Sequence, residues 1–183
     1  FMMTEGAAVL VLEEWDKAVA RGARIWGEVL GSASNADAHH ITAPSPGGTG
    51  AIACIQLAIE NAGIAAADVR HLNAHGTSTP LNAAAEAHAI AKVFGAPGPI
   101  VTSTKGVTGH GLGAAGAIEA SAVLLSMDRR LVPPTAGFTT PDPELPEIDI
   151  VAGEPRPWEP GPSLSNSFGF GGHNGCVVLA PPS

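Results

Sequence analysis

Val69-Arg70-His71-Leu72-Asn73-Ala74-His75-Gly76-Thr77-Ser78-Thr79-Pro80 opens with Val69 and Leu72 set among polar residues and closes on glycine, hydroxyls and proline. Residues 69–73 read as a short buried strand, Ala74–Pro80 as a polar loop, and the alanine-rich run 82–94 as a helix. The same order of elements follows. A strand at 99–103 leads into the loop Thr104-Lys105-Gly106-Val107-Thr108-Gly109-His110, and a helix of small residues continues to about 127. Strands alternating with helices predict a layered α/β architecture. In such folds chemistry is mounted where a strand opens into a loop, because the rigid sheet positions an adaptable segment.

Upstream, the sequence predicts a buried strand at 7–12, a helix at about 13–21 with Gly22 suited to its C-cap, and a strand at 25–33. A loop at 34–48 carries His39-His40 and the turn-forming Pro44-Ser45-Pro46-Gly47-Gly48. It is followed by a helix at 49–62 whose Ile52, Ile55 and Ile59 share one stripe ending at Gly63. Downstream, a proline-rich loop from Pro133 to Pro162 holds a short strand at 148–151, and 164–168 with 176–179 read as a closing strand pair. The first residues have neither the charged start nor the cleavage site of a signal peptide, and the chain reads as opening inside a domain.

Nine Lys and Arg against 17 Asp and Glu give a net charge of −8, the wrong sign for binding a phosphate backbone or an anionic membrane surface. Hydrophobic residues make up 45% and charged residues 14%, which places the chain with globular proteins rather than disordered ones. Cys54 and Cys176 stand outside any Cys-x-x-Cys or Cys/His ligand spacing, arguing against a disulfide scaffold, a zinc site and an oxidising compartment, and for the cytosol. Glu119 interrupts the longest apolar run, so no membrane span is expected.

Three junctions carry unusual residues. At the first, His75 with Thr77 and Thr79 could line a polar pocket; a histidine and threonines in a turn can equally be structural caps. At the second, Lys105 and His110 share a glycine-rich loop, and Glu119 is the one ionisable residue between 111 and 127. A lone carboxylate on a helix of small apolar residues is expected to face the interior and to need a partner, with Lys105 the nearest cation in sequence. The alternative is a solvated Glu119 on an exposed stripe. At the third, Ser165-Asn166-Ser167-Phe168-Gly169-Phe170-Gly171-Gly172-His173-Asn174-Gly175 could offer a backbone N–H to an oxyanion and swing an aromatic ring, or be a tight hairpin with core phenylalanines.

Taken together, His75-Gly76-Thr77-Ser78-Thr79-Pro80, then Ser103-Thr104-Lys105-Gly106-Val107-Thr108-Gly109-His110 with Gly113-Ala114-Ala115-Gly116, then Asn166-Ser167-Phe168-Gly169-Phe170-Gly171-Gly172-His173-Asn174 resemble the ordered signatures of β-ketoacyl-acyl carrier protein synthases. The resemblance spans nearly the whole chain and is greatest to bacterial type II enzymes of the synthase II class. It implies a thiolase-like layered αβαβα fold, with residues 1–24 ending the N-terminal half and 25–183 forming the C-terminal half. It also implies decarboxylative Claisen condensation of an acyl-enzyme with malonyl-acyl carrier protein in fatty acid elongation. His75 and His110 match the imidazoles that stabilise the enolate, Lys105 and Glu119 the pair that organises the site, and Phe170 a gating ring whose N–H joins the oxyanion hole. Thr77 and Thr79 match hydroxyls that bind the phosphopantetheine arm, and Phe168 and Gly169 fall among the substrate-binding positions. His40 and Thr42 lie where the family places its tunnel mouth. No metal or cofactor is implied, because the arm belongs to the carrier protein. The implied partners are acyl carrier protein, the N-terminal half and a second copy in a homodimer, with no nucleic acid and no membrane. The expected location is cytoplasmic.

Two departures stand out. The family's catalytic cysteine lies upstream of Phe1, while Cys54 falls mid-helix and Cys176 in a strand, where both are expected to be inert core thiols. Ala83 also stands where relatives usually carry an aspartate, which predicts a looser turn below His75. The carrier is acidic like this chain, so docking calls for a basic patch, either Arg129-Arg130 or residues of the other half. Alternative readings are a polyketide ketosynthase, a catalytically silent chain-length-factor partner, a thiolase and a pure interaction module. A silent partner usually loses the histidines, and a thiolase needs a second cysteine in a Cys-x-Gly setting that Gly175-Cys176-Val177 lacks.

Overall fold

A computed structural model describes residues 1–183. The chain opens with an irregular segment and the short helix α1 (Trp15–Ala20), then strand β1 (Glu28–Ala36) and helix α2 (Thr49–Ala62). Strand β2 (His71–Asn73), helix α3 (Pro80–Phe94) and strand β3 (Ile100–Thr102) lead to the single turn α4 (Lys105–Thr108) and helix α5 (Ala115–Arg129). The remainder holds β4 (Leu131–Val132), β5 (Asp149–Ile150), β6 (Arg156–Pro157), β7 (Ser163–Gly169) and β8 (His173–Ala180).

Six strands form one sheet in the order β1-β8-β7-β2-β3-β5, while β4 and β6 pair separately. β7, β2, β3 and β5 run parallel, and the β7–β8 hairpin and β1 add an antiparallel edge. Alternation along β8 shows how the layers stack. Cys176 and Val178 face a core built with Ile55 and Ala58 of α2 and Ile90 of α3, whereas Leu179 faces Ala120, Val123 and Met127 of α5. Successive strand residues point to opposite faces, so α2 and α3 cover one side of the sheet and α5 the other. Ile55, Leu72, Ile90, Leu164 and Val178 are fully buried, each contributing about 1.5–3 kcal/mol.

The layered α/β reading holds, and α2 spans the residues expected of it. The strand expected at 7–12 does not form. Val9 and Val11 are 89% and 87% exposed, because no strand of this chain lies beside them to accept their backbone hydrogen bonds. The strand expected at 25–33 is displaced to Glu28–Ala36, its register set by pairing with β8 and interrupted between Val29 and Gly31. Consequently the loop expected from residue 34 starts three residues later. α3 begins at Pro80, where proline's fixed φ and missing N–H suit the first turn. Lys105 lies in a helical turn rather than in open loop, and the strand expected at 148–151 narrows to Asp149–Ile150. No helix is long and apolar enough to cross a membrane.

Candidate active site

β2, β3 and β7 end side by side, so the loops that leave them converge. The first carries His75, the second Lys105 and His110, and the strand end at β7 brings Asn166 and Phe168. The imidazoles of His75 and His110 meet edge to face with centroids 5.3 Å apart, and the Phe168 ring lies 5.8 Å from His75.

His75 is held by a residue that the sequence reading passed over. The Glu86 carboxylate, buried in α3, accepts the backbone N–H of His75 on Oε1 (2.8 Å) and that of Gly76 on Oε2 (2.9 Å). Asn166 and Asn82 add further donors at 3.2 and 3.3 Å. Four donors on one carboxylate fix the loop to the helix. A weaker signal for Glu86 exists in the sequence: it is the one acidic residue of the alanine-rich run, though His88 and Lys92 share that run while Glu119 stands alone in its own. Gly76 has φ +47°, and a Cβ there would come within 2.5 Å of Ser103, so only glycine fits between the two loops.

His110 is oriented through its ring. The N–H of Leu112 donates to Nδ1 at 3.1 Å, so a neutral imidazole must carry its proton on Nε2, the nitrogen left as a donor. Its backbone is satisfied from far away in sequence: His110 N–H donates to Met2 C=O (2.8 Å), and Thr4 N–H donates to His110 C=O (3.2 Å). Burial, with the Lys105 charge second, pushes His75 down to about 3 and lowers His110 in the same direction. Both shifts favour neutral rings at physiological pH, each able to offer an N–H donor.

Lys105 and Glu119 form an ion pair with side chains only 4% and 1% exposed. Burial raises the Glu119 carboxyl above its ordinary range while the lysine opposes that shift. Asn73 Oδ1, Asn166 Oδ1 and Glu119 Oε2 are buried acceptors with no donor. Oxygens of this kind could hold a hard cation; no group of three His, Cys, Asp or Glu side chains is placed to bind a metal. A cleft of about 1260 Å³ runs from Lys105 and His110 past Thr77 and Asn82 toward Thr135.

The remaining residues singled out from the sequence are scattered. Thr77 and Thr79 hydroxyls lie 3.0 Å apart, with Thr77 buried. Phe170 is 69% exposed, on the turn that joins β7 to β8; it is Phe168, two residues earlier, that touches His75. Gly169 ends β7. His40 and Thr42 sit on an exposed loop and bond only locally, the Thr42 and Ala43 N–H groups donating to His40 Nδ1 at 3.1 Å. That loop reaches the Phe170 turn through its backbone, where Gly171 N–H donates to Ile41 C=O at 2.7 Å. Ala83 lines the cleft one turn before Glu86, and Glu86 makes the turn's bonds without a carboxylate at 83. Burial pushes the Cys54 thiol up to about 11 and raises Cys176 as well, so neither is a ready thiolate. Arg129 and Arg130 offer no free basic patch: they pair with Asp128 and Glu159, at the end of α5 roughly 20 Å from Ala115.

Residues 26–139 match a family model described as the C-terminal domain of β-ketoacyl synthases. The chain is 48% identical over 182 residues to 3-oxoacyl-[acyl-carrier-protein] synthase 2 of Synechocystis, covering 98% of this chain and 43% of that protein. Among solved structures it resembles the ishigamide ketosynthase/chain length factor, with TM-score 0.94, 36% identity, and coverage of 99% of this chain and 44% of that one. It also resembles a ketosynthase solved with its type II polyketide acyl carrier protein, with TM-score 0.89, 34% identity, and coverage of 93% and 42%. The chain thus spans less than half the length of each. The three layers described above are the C-terminal part of the thiolase-like fold of these ketosynthases.

Proposed function

The chain belongs to the β-ketoacyl synthase family, and from that premise we propose that it supplies the enolate-stabilising half of a 3-oxoacyl-acyl carrier protein synthase of fatty acid elongation. The observation that carries the reading is the pair of neutral imidazoles 5.3 Å apart, one with its donor nitrogen fixed as Nε2. When malonyl-acyl carrier protein loses carbon dioxide, the electron pair of the broken C–C bond becomes an enolate, with negative charge on the thioester oxygen. Two N–H donors in a site shielded from water stabilise that oxygen without delivering a proton to the carbanion. The enolate carbon then attacks the thioester carbonyl of an acyl group carried on a cysteine outside this chain, and the cysteine leaves as thiolate. Lys105, paired with Glu119, places an ammonium beside the rings and so disfavours their protonation.

Thr77 and Thr79 are proposed to bind the phosphopantetheine arm of the carrier protein, with Phe168, Gly169, His40 and Thr42 lining its approach and Phe170 gating acyl loading. The arm is part of the substrate, and no separate cofactor is invoked. The apolar residues 9–12, exposed here, are proposed to pair with the N-terminal ketosynthase half, and the assembled enzyme to act as a cytoplasmic homodimer. Two buried thiols with no disulfide between them accord with a reducing compartment.

The test joins this chain to the part of the Synechocystis relative that it does not span, and measures carbon dioxide release from malonyl-acyl carrier protein. The proposal expects release by the wild type, and none by His110→Ala, while acyl loading onto the upstream cysteine survives. A silent chain-length-factor partner would give no release with both histidines intact. Normal condensation by His110→Ala would remove the role given to that ring.

A further inference from the structure

The ladder between β2 and β3 ends where Ala74 N–H donates to Thr102 C=O at 2.8 Å. Beyond that point the two histidine-bearing loops separate, and one hydrogen bond spans them. Ser103 Oγ–H donates to the Gly76 carbonyl at 3.1 Å. Ser103 is buried, and its own backbone N–H donates to Thr135 Oγ1 at 3.1 Å. Thr135 is fixed in turn by its N–H on the Val151 carbonyl (2.8 Å).

From these contacts we infer that Ser103 is a positioning residue for the pair of imidazoles, an inference that rests on the reading of His75 and His110 as joint donors. The peptide groups around Gly76 are gripped from two sides. Glu86 takes the N–H groups of His75 and Gly76, and Ser103 takes the Gly76 carbonyl. Gly76 lacks a Cβ and sits at φ +47°, so its own conformational preferences do little to hold that carbonyl. Ser103 supplies the restraint from the loop that bears the second histidine. It also lies two residues before Lys105, so the anchor that fixes Gly76 fixes the entry to α4. The spacing of the rings is thus set by a hydroxyl that touches neither of them. Hydrogen bonds that orient reacting groups from outside the site act through geometry, and a misplacement of about 1 Å costs on the order of 100-fold in rate.

Ser103→Ala in the chain by itself removes the hydroxyl without adding volume. NMR should then show the Gly76 carbonyl carbon shifted upfield and the ring-to-ring NOE between His75 and His110 weakened or lost, with the melting transition still cooperative. In the joined synthase, kcat for carbon dioxide release should fall about tenfold to a hundredfold while KM stays within about twofold. An unchanged carbonyl shift and NOE overturn the inference whatever the activity. A wild-type kcat in an active synthase overturns it as well. A joined wild type that releases no carbon dioxide defeats the functional reading instead, and the NMR result still decides the positioning role.

Discussion

Replacing Lys105 by methionine leaves the Glu119 carboxylate inside α5 with no counter-charge. The two side chains are 4% and 1% exposed, and Glu119 Oε2 already has no donor. Removing one partner of a buried pair costs about 3–5 kcal/mol, because the remaining charge is neither solvated nor compensated. For a chain of this size that is roughly 6–20 °C in Tm. The loss depends on pH in a definite direction. Burial holds the Glu119 carboxyl above the ordinary glutamate range even with the lysine present, and without it the folded value rises further. A carboxyl raised in the folded state contributes full stability below its unfolded value and loses it as pH climbs through the folded value. The Lys105→Met deficit should therefore be small near pH 4.5 and complete by pH 8. Trp158 is a suitable reporter, since it is buried and its Nε1–H donates to Ser126 C=O of α5 at 3.1 Å. Urea unfolding followed by its fluorescence at several pH values, for wild type, Lys105→Met and Lys105→Met/Glu119→Gln, measures all three terms. The double variant carries no buried charge at the pair and should recover to within about 1–2 kcal/mol of wild type. A single variant within about 0.5 kcal/mol of wild type at pH 8, or a double variant no better than the single, would refute the reasoning.

His71 is buried against Trp158 with both ring nitrogens unpartnered, and burial lowers it to about 4. The unfolded chain therefore takes up its proton first. The stability tied to this ring should be intact above pH 6.5 and fall by about 3 kcal/mol as pH drops to 4, and His71→Leu should flatten that slope in acid denaturation. Gly76→Ala places a Cβ 2.5 Å from Ser103 at a positive φ and should cost about 2–3 kcal/mol by thermal unfolding; a neutral substitution would mean the two loops are less closely apposed. Phe170→Ala, at an exposed turn, should leave stability within about 0.5 kcal/mol while speeding acyl loading in the joined synthase; unchanged loading kinetics would remove the gate from Phe170.

What could be read from the residues was what local chemistry enforces. α2 was legible because its isoleucines recur at helical spacing between glycines, and Glu119 because a lone carboxylate among small apolar residues leaves few places to go. Residues 7–12 misled because strand propensity describes a segment that can pair, and pairing needs a neighbour that this chain does not supply. β1 slid by three residues for a related reason, since its register belongs to β8. Glu86 was missed because His88 and Lys92 share its run, so it lacked the isolation that singled out Glu119. Its role lies in accepting backbone N–H groups eleven and ten residues earlier, a relation invisible until the loop is folded back on the helix. The separation of Phe168 and Phe170, one touching His75 and the other in solvent, follows from strand alternation ending at a turn that the sequence marked only by its glycines.

Residues 2–4 form a strap that ties the setting of His110 to a contact far away in sequence. The backbone of His110 is completed by partners 108 and 106 positions away, a longer reach than the β2–β3 and β3–β5 pairings beside it. Closing so long a loop is slow and entropically unfavourable, and is repaid only after the sheet exists to guide it. A chain with the strap undocked holds His110 with its backbone N–H and C=O unpaired, while the Leu112 N–H still holds the ring at Nδ1. Amide exchange at His110 therefore reports whether residues 2–4 are docked, so a probe at one histidine of the proposed pair reads a contact made from more than a hundred positions away.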